Sequence, residues 1–365
     1  MDEFDLAIIG AGMAGASLAA EVAPHARVLL LEAEDMPGYH TTGRSAAFWE
    51  ECYGGPAIVP LSRASEIYLR EGGFLRPRGA LYIGRSGDAG KLDAFEARFA
   101  GSGARFERLA SGAVREQVPP LNAQWSEAIW QPHCADIDVA ALHQHYLKAA
   151  RGAGAVLETR ARIAGLERAG AHWQLRAQDG REWRAASIAN AAGAWADDLA
   201  QMAGARALGI QPLQRTMLQI RSAPALPQGG PLTLDISGEF YFKPESADAM
   251  WFSPHDETPV PPSDAAPEEL AVAQALDRFG RVFDADILKI ERTWAGLRSF
   301  APDRKPVIGW DARVPGFFWF AGQGGFGIQT APAAARLGGQ LFRDAPRDAM
   351  TAALDGDGFA PARFG

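Results

Sequence analysis

The sequence predicts an α/β fold: a Rossmann-like dinucleotide-binding domain with an inserted α+β domain built on a mixed, largely antiparallel sheet. Three observations predict it. A strand, glycine turn, helix and strand open the chain at residues 4–32. Two later glycine turns, "NAAGAW" (190–195) and "GQGGFGIQT" (322–330), each follow a buried strand and lead into a helix. The intervening segments alternate polar and apolar residues with the period of strands.

The elements follow in order. "FDLAIIG" (4–10) is a short apolar run ended by glycine, the pattern of a buried parallel strand. "MAGASLAAEVA" (13–23) is an alanine-rich helix with small residues on one face, and "RVLLLE" (27–32) is the next buried strand. Residues 57–117 mix short helices with the strand "ALYIGR" (80–85), and 138–154 is an amphipathic helix ending in glycines. A meander then returns to a buried strand at 186–190 and a helix from about 194. Strand patterns recur through 206–300, interrupted by an acidic, proline-rich loop (257–268) and a helix (268–280). A buried strand, glycine turn and helix close the pattern at 317–343. The discontinuous pieces 1–47, 138–205 and 300–345 are read as the cofactor domain, 48–137 and 206–299 as the substrate domain, and 346–365 as a C-terminal tail.

With 365 residues, 47% hydrophobic and 22% charged, the chain suits two packed domains of a globular enzyme. A net charge of −8 leaves no basic footprint, which argues against a nucleic-acid partner. Cys52 and Cys134 cannot build a disulfide framework. They fit a reducing, cytoplasmic location, with peripheral contact at the inner membrane left open. No transmembrane segment is expected, because no apolar run reaches the roughly 18–20 residues that span a bilayer. The N-terminus enters a strand without a basic region or cleavage site, an expectation against export.

"GAGMAG" supplies Gly10 for a tight turn, Gly12 for close approach to a pyrophosphate and Gly15 for close helix–strand packing. Glu32 ends the second strand, where a carboxylate can bond ribose hydroxyls and disfavours a 2′-phosphate. FAD fits better than NAD. A third glycine turn so far along the chain serves a flavin, whose N1–C2=O edge gains negative charge on reduction next to a helix N-terminus.

The fingerprint, "PGYHTTGRSAA" (37–47), "ADIDVAALHQHYL" (135–147), "NAAGAW", "TWAGLRSF" (293–300) and "AGQGGFGIQT" (321–330) together resemble the D-amino-acid oxidase-like FAD-dependent amine oxidoreductases. The resemblance runs from residue 4 to about 343 and is closest to the bacterial D-arginine dehydrogenases. It implies a glutathione-reductase-type FAD domain and oxidative deamination of a D-amino acid: hydride passes from the substrate Cα to flavin N5, and the imino acid hydrolyses to a keto acid and ammonia. The implied partners are an amino-acid or amine substrate and an electron acceptor, a quinone or O2. The implied cofactor set is Gly10, Gly12, Met13, Ala14, Gly15, Glu32 and Ala33; Thr42, Gly43, Arg44, Ser45 and Ala46; Ile163, Ala192, Gly193 and Trp195; and Arg298, Gly325, Phe326, Gly327, Ile328, Gln329 and Thr330. FAD is expected to be non-covalent, since the last glycine turn has no cysteine and neither Cys52 nor Cys134 matches the attachment site of relatives such as the sarcosine oxidases.

Arg is the side chain for bidentate carboxylate capture. Arg215 and Arg298 match family positions that bind the substrate carboxylate, Tyr53 and Tyr241 positions that border the substrate, and Gln329 one near it. Three positions depart from D-arginine dehydrogenase. Its histidine, threonine and tyrosine correspond to Phe48, Glu50 and Tyr53, and the glutamate that receives the cationic side chain corresponds to Ala80. An unpaired buried guanidinium costs several kcal/mol, so hydrophobic, aromatic or N-methylated amino acids are expected over arginine. Glu50, on the opposite wall, offers a replacement carboxylate, which keeps a basic substrate open.

Arginines serve a 2-hydroxyacid equally well, so a 2-hydroxyacid or secondary-amine dehydrogenase or oxidase is the alternative, and a non-catalytic flavoprotein a further one. No metal site is expected: His143 and His145 lie two apart on a helix and point in different directions. Taken alone, Trp195, Trp294 and Trp319 read as core. His40 reads either as a cofactor contact or as a surface or supporting residue; Lys243 sits in a strand with no assigned place against the flavin; and 254–269 reads as a solvated loop, with a lid as the alternative.

Overall fold

The computed structural model describes residues 3–365 apart from 111 and 247. Buried apolar runs build the first layer. Val156–Glu158, Val28–Leu31, Glu3–Ile9, Glu182–Asn190 and Phe317–Ala321 lie side by side and parallel, and Val307–Trp310 adds an antiparallel edge. Strand alternation splits the core between two faces. Leu6 and Ile8 pack under the helices Met13–Val22, Val139–Gly152 and Ala331–Arg343, while Ala7 and Ile9 pack toward the opposite face. There the strands Ile163–Ala169 and His172–Ala177 and the helix Ala196–Met202 contribute the cover.

The second layer is, among the described residues, a nine-stranded sheet. Its order runs Asp286–Phe300, Gln211–Ala223, Ala249–Ser253, Tyr241–Pro244, Leu232–Asp235, Ala80–Arg85, Trp125–Gln131 and Glu107–Leu109, with Thr258–Pro259 added beside Gln211–Ala223. The pairing of Leu232–Asp235 with Ala80–Arg85 is parallel, and the other pairings among the described residues are antiparallel. The amphipathic helix Glu269–Val282 buries Ala275, Phe279 and Val282 against it.

Three local expectations differ from the structure. The helix after the last glycine turn begins at Ala331, because residues 324–330 wind through successive turns first. Trp125–Gln131 and Val307–Trp310 are strands that the residue pattern did not mark. Trp49, Leu61, Leu69, Phe74 and Ile137, from the stretch assigned to the substrate domain, share one core cluster with Leu6 and Leu30. The helix Val59–Glu71 packs on Ala331–Arg343, so its apolar face belongs to the cofactor layer.

Candidate active site

A cavity of about 430 Å³ runs from the ends of the parallel strands to the face of the second sheet. Its inner end is the first glycine turn. Gly10 sits at φ 104°, and a Cβ there would lie 2.4 Å from the Ala191 carbonyl oxygen. A Cβ on Gly15 would lie 1.8 Å from the Gly10 carbonyl oxygen, so Gly15 closes the helix onto the turn and does not itself line the cavity. Gly12, Met13 and Ala14 do line it, at a helix N-terminus without a side-chain cap; Thr42 Oγ1 accepts a hydrogen bond from Met13 N at 2.9 Å.

Glu32 projects into the same end. Its carboxylate accepts from Ala11 N and Glu34 N, both at 3.0 Å, while burial pushes its pKa upward against those bonds. Ala33, Ile163, Ala192, Gly193 and Trp195 continue the wall. His40 joins it, with Nε2 3.0 Å from Glu34 Oε1 and its ring beside Trp195.

The 40–47 loop forms the floor. Thr42, Arg44, Ser45 and Ala46 line it, whereas Gly43 donates its N–H to Gly38 O at 2.7 Å and shapes the turn from outside. The Arg44 guanidinium is already engaged: it pairs with Asp264, donates to Ala265 O at 2.8 Å and lies over the Tyr39 ring. The outer end carries Gly325, Phe326, Gly327, Ile328 and Gln329. Thr330 lies behind them, buried, its hydroxyl donating to Phe326 O.

The paired long strands bring the arginines together. Gln211–Ala223 and Asp286–Phe300 register Arg215 against Gly296 and Leu213 against Arg298, which places both arginines on one face, one step apart. Gly296 has no side chain there, and a Cβ would lie 3.4 Å from Arg44 Cβ. Arg215 is buried, with Nε donating to Asp256 O at 2.9 Å and Nη1 and Nη2 lacking any hydrogen-bond partner. Nη2 lies 3.5 Å from Glu257 Oε1, within ion-pair range only. Burial and then the neighbouring Arg298 push the Arg215 pKa down.

Arg298 donates from Nη1 to the Tyr53 hydroxyl (3.1 Å) and from Nη2 to Glu257 (2.7 Å), and its Nε is unpartnered. Burial opposes its charge, but Tyr53, Glu257 and Tyr241 outweigh that and raise its pKa. Around the pair stand Phe48, Tyr53, Tyr241 and Met217. Tyr241 donates its hydroxyl to Met217 Sδ at 3.0 Å, and burial holds that phenol protonated.

Gln329 lines the cavity, but its amide is spent on the main chain around Tyr53. Its Oε1 accepts from Glu50 N (3.0 Å), and its Nε2 donates to Ser62 Oγ (2.8 Å) and Tyr53 O (3.3 Å).

Two pocket expectations do not survive. Glu50 is fully buried behind the wall, where its carboxylate accepts from the Tyr82 hydroxyl (2.6 Å) and Cys52 N (2.9 Å); it turns away from the cavity because those donors lie on the other side. Ala80 is buried in mid-sheet between Gln131 and Leu232 and does not reach the cavity either. Lys243 pairs with Asp136 at 2.9 Å, over Trp251, away from the lining.

His143 Nε2 donates to Ala11 O and His145 meets the Tyr68 hydroxyl, so the two rings do diverge. Among the described residues no group of three or more His, Cys, Asp or Glu is placed to hold a metal. Among the described residues no helix is long and apolar enough to cross a membrane. Sequence reasoning missed Met217 and Glu257. Met217 had a signal, lying two residues beyond Arg215 on the same strand face. Glu257 had none, since only the return of its loop brings it to the arginines.

The chain matches the DAO family, described as FAD dependent oxidoreductase, over residues 5–341. It belongs to this family. The DAO cofactor suits the cavity: no side chain can occupy the places at Gly10 and Gly15, and Glu32 stands at the end of the second strand.

Among DAO relatives, the hydrogen cyanide synthase subunit HcnC of Pseudomonas aeruginosa is 28% identical over 220 residues, 60% of this chain and 50% of that protein. L-2-hydroxyglutarate dehydrogenase of Escherichia coli is 26% identical over 221 residues, 57% and 51% of the two chains. The chain thus spans about half the length of the curated relatives it matches. Its fold is that of glycine oxidase from Geobacillus kaustophilus (TM-score 0.83, 23% identity, covering 100% and 99% of the two chains). L-proline dehydrogenase from P. horikoshii shares it too (TM-score 0.84, 20% identity, 100% and 98%).

Proposed function

We propose that this DAO-family protein oxidises the α-carbon of a D-amino acid bearing an apolar or aromatic side chain, or of its N-methylated form, and that the imine formed hydrolyses to a keto acid and ammonia, or to a keto acid and methylamine from the N-methylated substrate. The observation that carries the reading is the buried Arg215 guanidinium with two unpartnered nitrogens, one strand step from Arg298. A buried cation left with free donors is a receptor for an anion, and two arginines on one face suit a carboxylate. FAD, held non-covalently, supplies the two-electron acceptor that no side chain offers.

In this reading Arg215 and Arg298 fix the α-carboxylate, which sets the direction of the Cα–H bond. Tyr53 and Gly325 brace Arg298, a Cβ on Gly325 falling 2.8 Å from Arg298 Nη1. Phe48, Tyr53, Met217 and Tyr241 enclose the remaining groups and exclude water. Gln329 acts by holding Tyr53 and the Glu50 main chain. The resemblance to D-arginine dehydrogenases supports the D configuration. Ala80, and Glu50 turned to Tyr82, leave no carboxylate on that wall for a basic side chain.

The 2-hydroxyacid alternative draws on the same arginines and on the L-2-hydroxyglutarate dehydrogenase likeness. An anaerobic panel of D-amino acids, L-amino acids and 2-hydroxyacids, read by bleaching of the flavin and by ammonia release, tests the proposal. Bleaching with ammonia from apolar D-amino acids is expected. Preference for D-arginine would defeat the substrate assignment, and bleaching by 2-hydroxyacids alone would select the alternative. Re-oxidation in air and with a quinone then separates oxidase from dehydrogenase.

A further inference from the structure

We propose that Glu257 sets how many acid groups the site accepts: by neutralising one guanidinium of the arginine cluster, it makes the site a receptor for a monocarboxylate and turns away substrates with a second acid group. The inference rests on the reading of Arg215 and Arg298 as the carboxylate receptor.

Glu257 lies in the loop that leaves the strand Ala249–Ser253. Its Oε1 accepts from Arg298 Nη2 at 2.7 Å and Arg304 Nη2 at 2.9 Å and lies 3.5 Å from Arg215 Nη2; its Oε2 accepts from Arg304 Nη1 at 3.1 Å. Three guanidiniums therefore converge on one side chain.

The loop is pinned where this happens. Thr216 donates to the Asp256 carboxylate from both N and Oγ1 at 2.8 Å, and Arg215 Nε donates to Asp256 O. The neighbouring His255 adds no charge, because burial and then Arg215 and Arg298 push its pKa down to about 3. The arginines pull the Glu257 carboxyl below its usual range against its own burial, so it is charged at neutral pH.

Arg215, Arg298 and Arg304 carry three positive charges; Asp256 and Glu257 carry two negative ones. One α-carboxylate brings the cluster to neutrality, and a second would exceed it.

Space for a second acid group exists. A cavity of about 270 Å³ adjoins the first across Tyr53, Arg298, Gly325 and Phe326, and Glu257, Arg304, Arg98 and Asp235 line it. A side chain reaching past Tyr53 enters it and meets Glu257, whose attending arginines are already taken. Arg98 and Asp235 stand on its walls, with Lys91 the cation that acts on Asp235. Like charges at close range in a half-buried site repel strongly. With Glu257 neutral, Arg298 and Arg304 have donors free for that second group.

The test uses FAD-loaded protein and two unreactive probes, propionate and succinate, titrated at neutral pH and followed by the flavin's visible spectrum and by calorimetry. The wild type is expected to bind propionate in preference to succinate. Glu257→Gln should raise succinate affinity relative to propionate by roughly ten- to a hundredfold, the scale of charged hydrogen bonds gained. Glu257→Asp keeps the charge and should keep the wild-type ratio. Glu257→Gln combined with Arg304→Gln restores the count of one surplus charge and should return the ratio toward wild type.

An unchanged ratio in Glu257→Gln with propionate still bound overturns the proposal, as does an equal change in Glu257→Asp. Loss of propionate binding in Glu257→Gln but not in Glu257→Asp also overturns it, leaving Glu257 only to aim Arg298. Failure of propionate to bind the wild type removes the carboxylate receptor itself, and the proposal with it.

Discussion

Arg215 is held in the fold at a cost, since its two terminal nitrogens are buried without partners beside a second guanidinium. A cation placed so is retained for a ligand and not for stability. Replacing it by a residue of similar length and no charge relieves both the desolvation and the repulsion with Arg298, and Asp256 keeps its two bonds from Thr216. Arg215→Met is therefore expected to stabilise the protein by roughly 1–2 kcal/mol, seen as a higher melting temperature, while propionate binding is lost. A lower melting temperature with binding intact would contradict this.

Glu50 poses the opposite case, a carboxyl tuned by its surroundings with no route to the cavity. Burial pushes its pKa from 4.5 up to about 7, against the bonds from Tyr82 and Cys52 N. A carboxyl whose pKa is raised by folding stabilises while it is protonated. Its contribution is complete below pH 4.5 and fades as pH rises through about 7. The swing is on the order of 3 kcal/mol. Glu50→Gln should flatten the pH dependence of stability across that window and be more stable than wild type above it. Denaturant titrations at several pH values check this; parallel curves for the two proteins would refute it.

At the scale of elements, the first helix depends on a contact that tolerates no side chain. Gly15→Ala would place Cβ 1.8 Å from the Gly10 carbonyl, and both partners are backbone, so the helix must move off the turn. The expected result is a loss of about 1–3 kcal/mol and a fall in bound flavin per protein, measured by absorbance of the purified protein. Full flavin content would show that the turn adapts.

The elements also differ in how legible they were. Val28–Leu31 and Phe317–Ala321 are buried throughout, so their apolar runs announced them. Trp125–Gln131 mixes Ser126, Glu127 and Gln131 with apolar residues and gains its strand character from neighbours on both sides, so its local pattern was weak. Phe48–Trp49 is a two-residue strand that exists through pairing with Ala135–Ile137, a partner far along the chain.

For the whole molecule, the proposed site lies between the layers. The parallel sheet presents the glycine turns, the antiparallel sheet presents the arginines, and the 254–268 loop ties the two together through Glu257 at one end and Asp264, on Arg44, at the other. By itself the sequence determined the parallel sheet, its glycine turns and the membership of an FAD-dependent family, because turn geometry and burial period are written in neighbouring residues. It also singled out Arg215 and Arg298, because the strand segments around them resemble the family's carboxylate-binding positions. Only the tertiary structure decided which atoms of those arginines stay free, that Glu50 faces Tyr82 and that Glu257 faces the arginines. Those partners lie 32 and 41 residues apart in the chain. They meet through strand register and loop return, which no local pattern encodes.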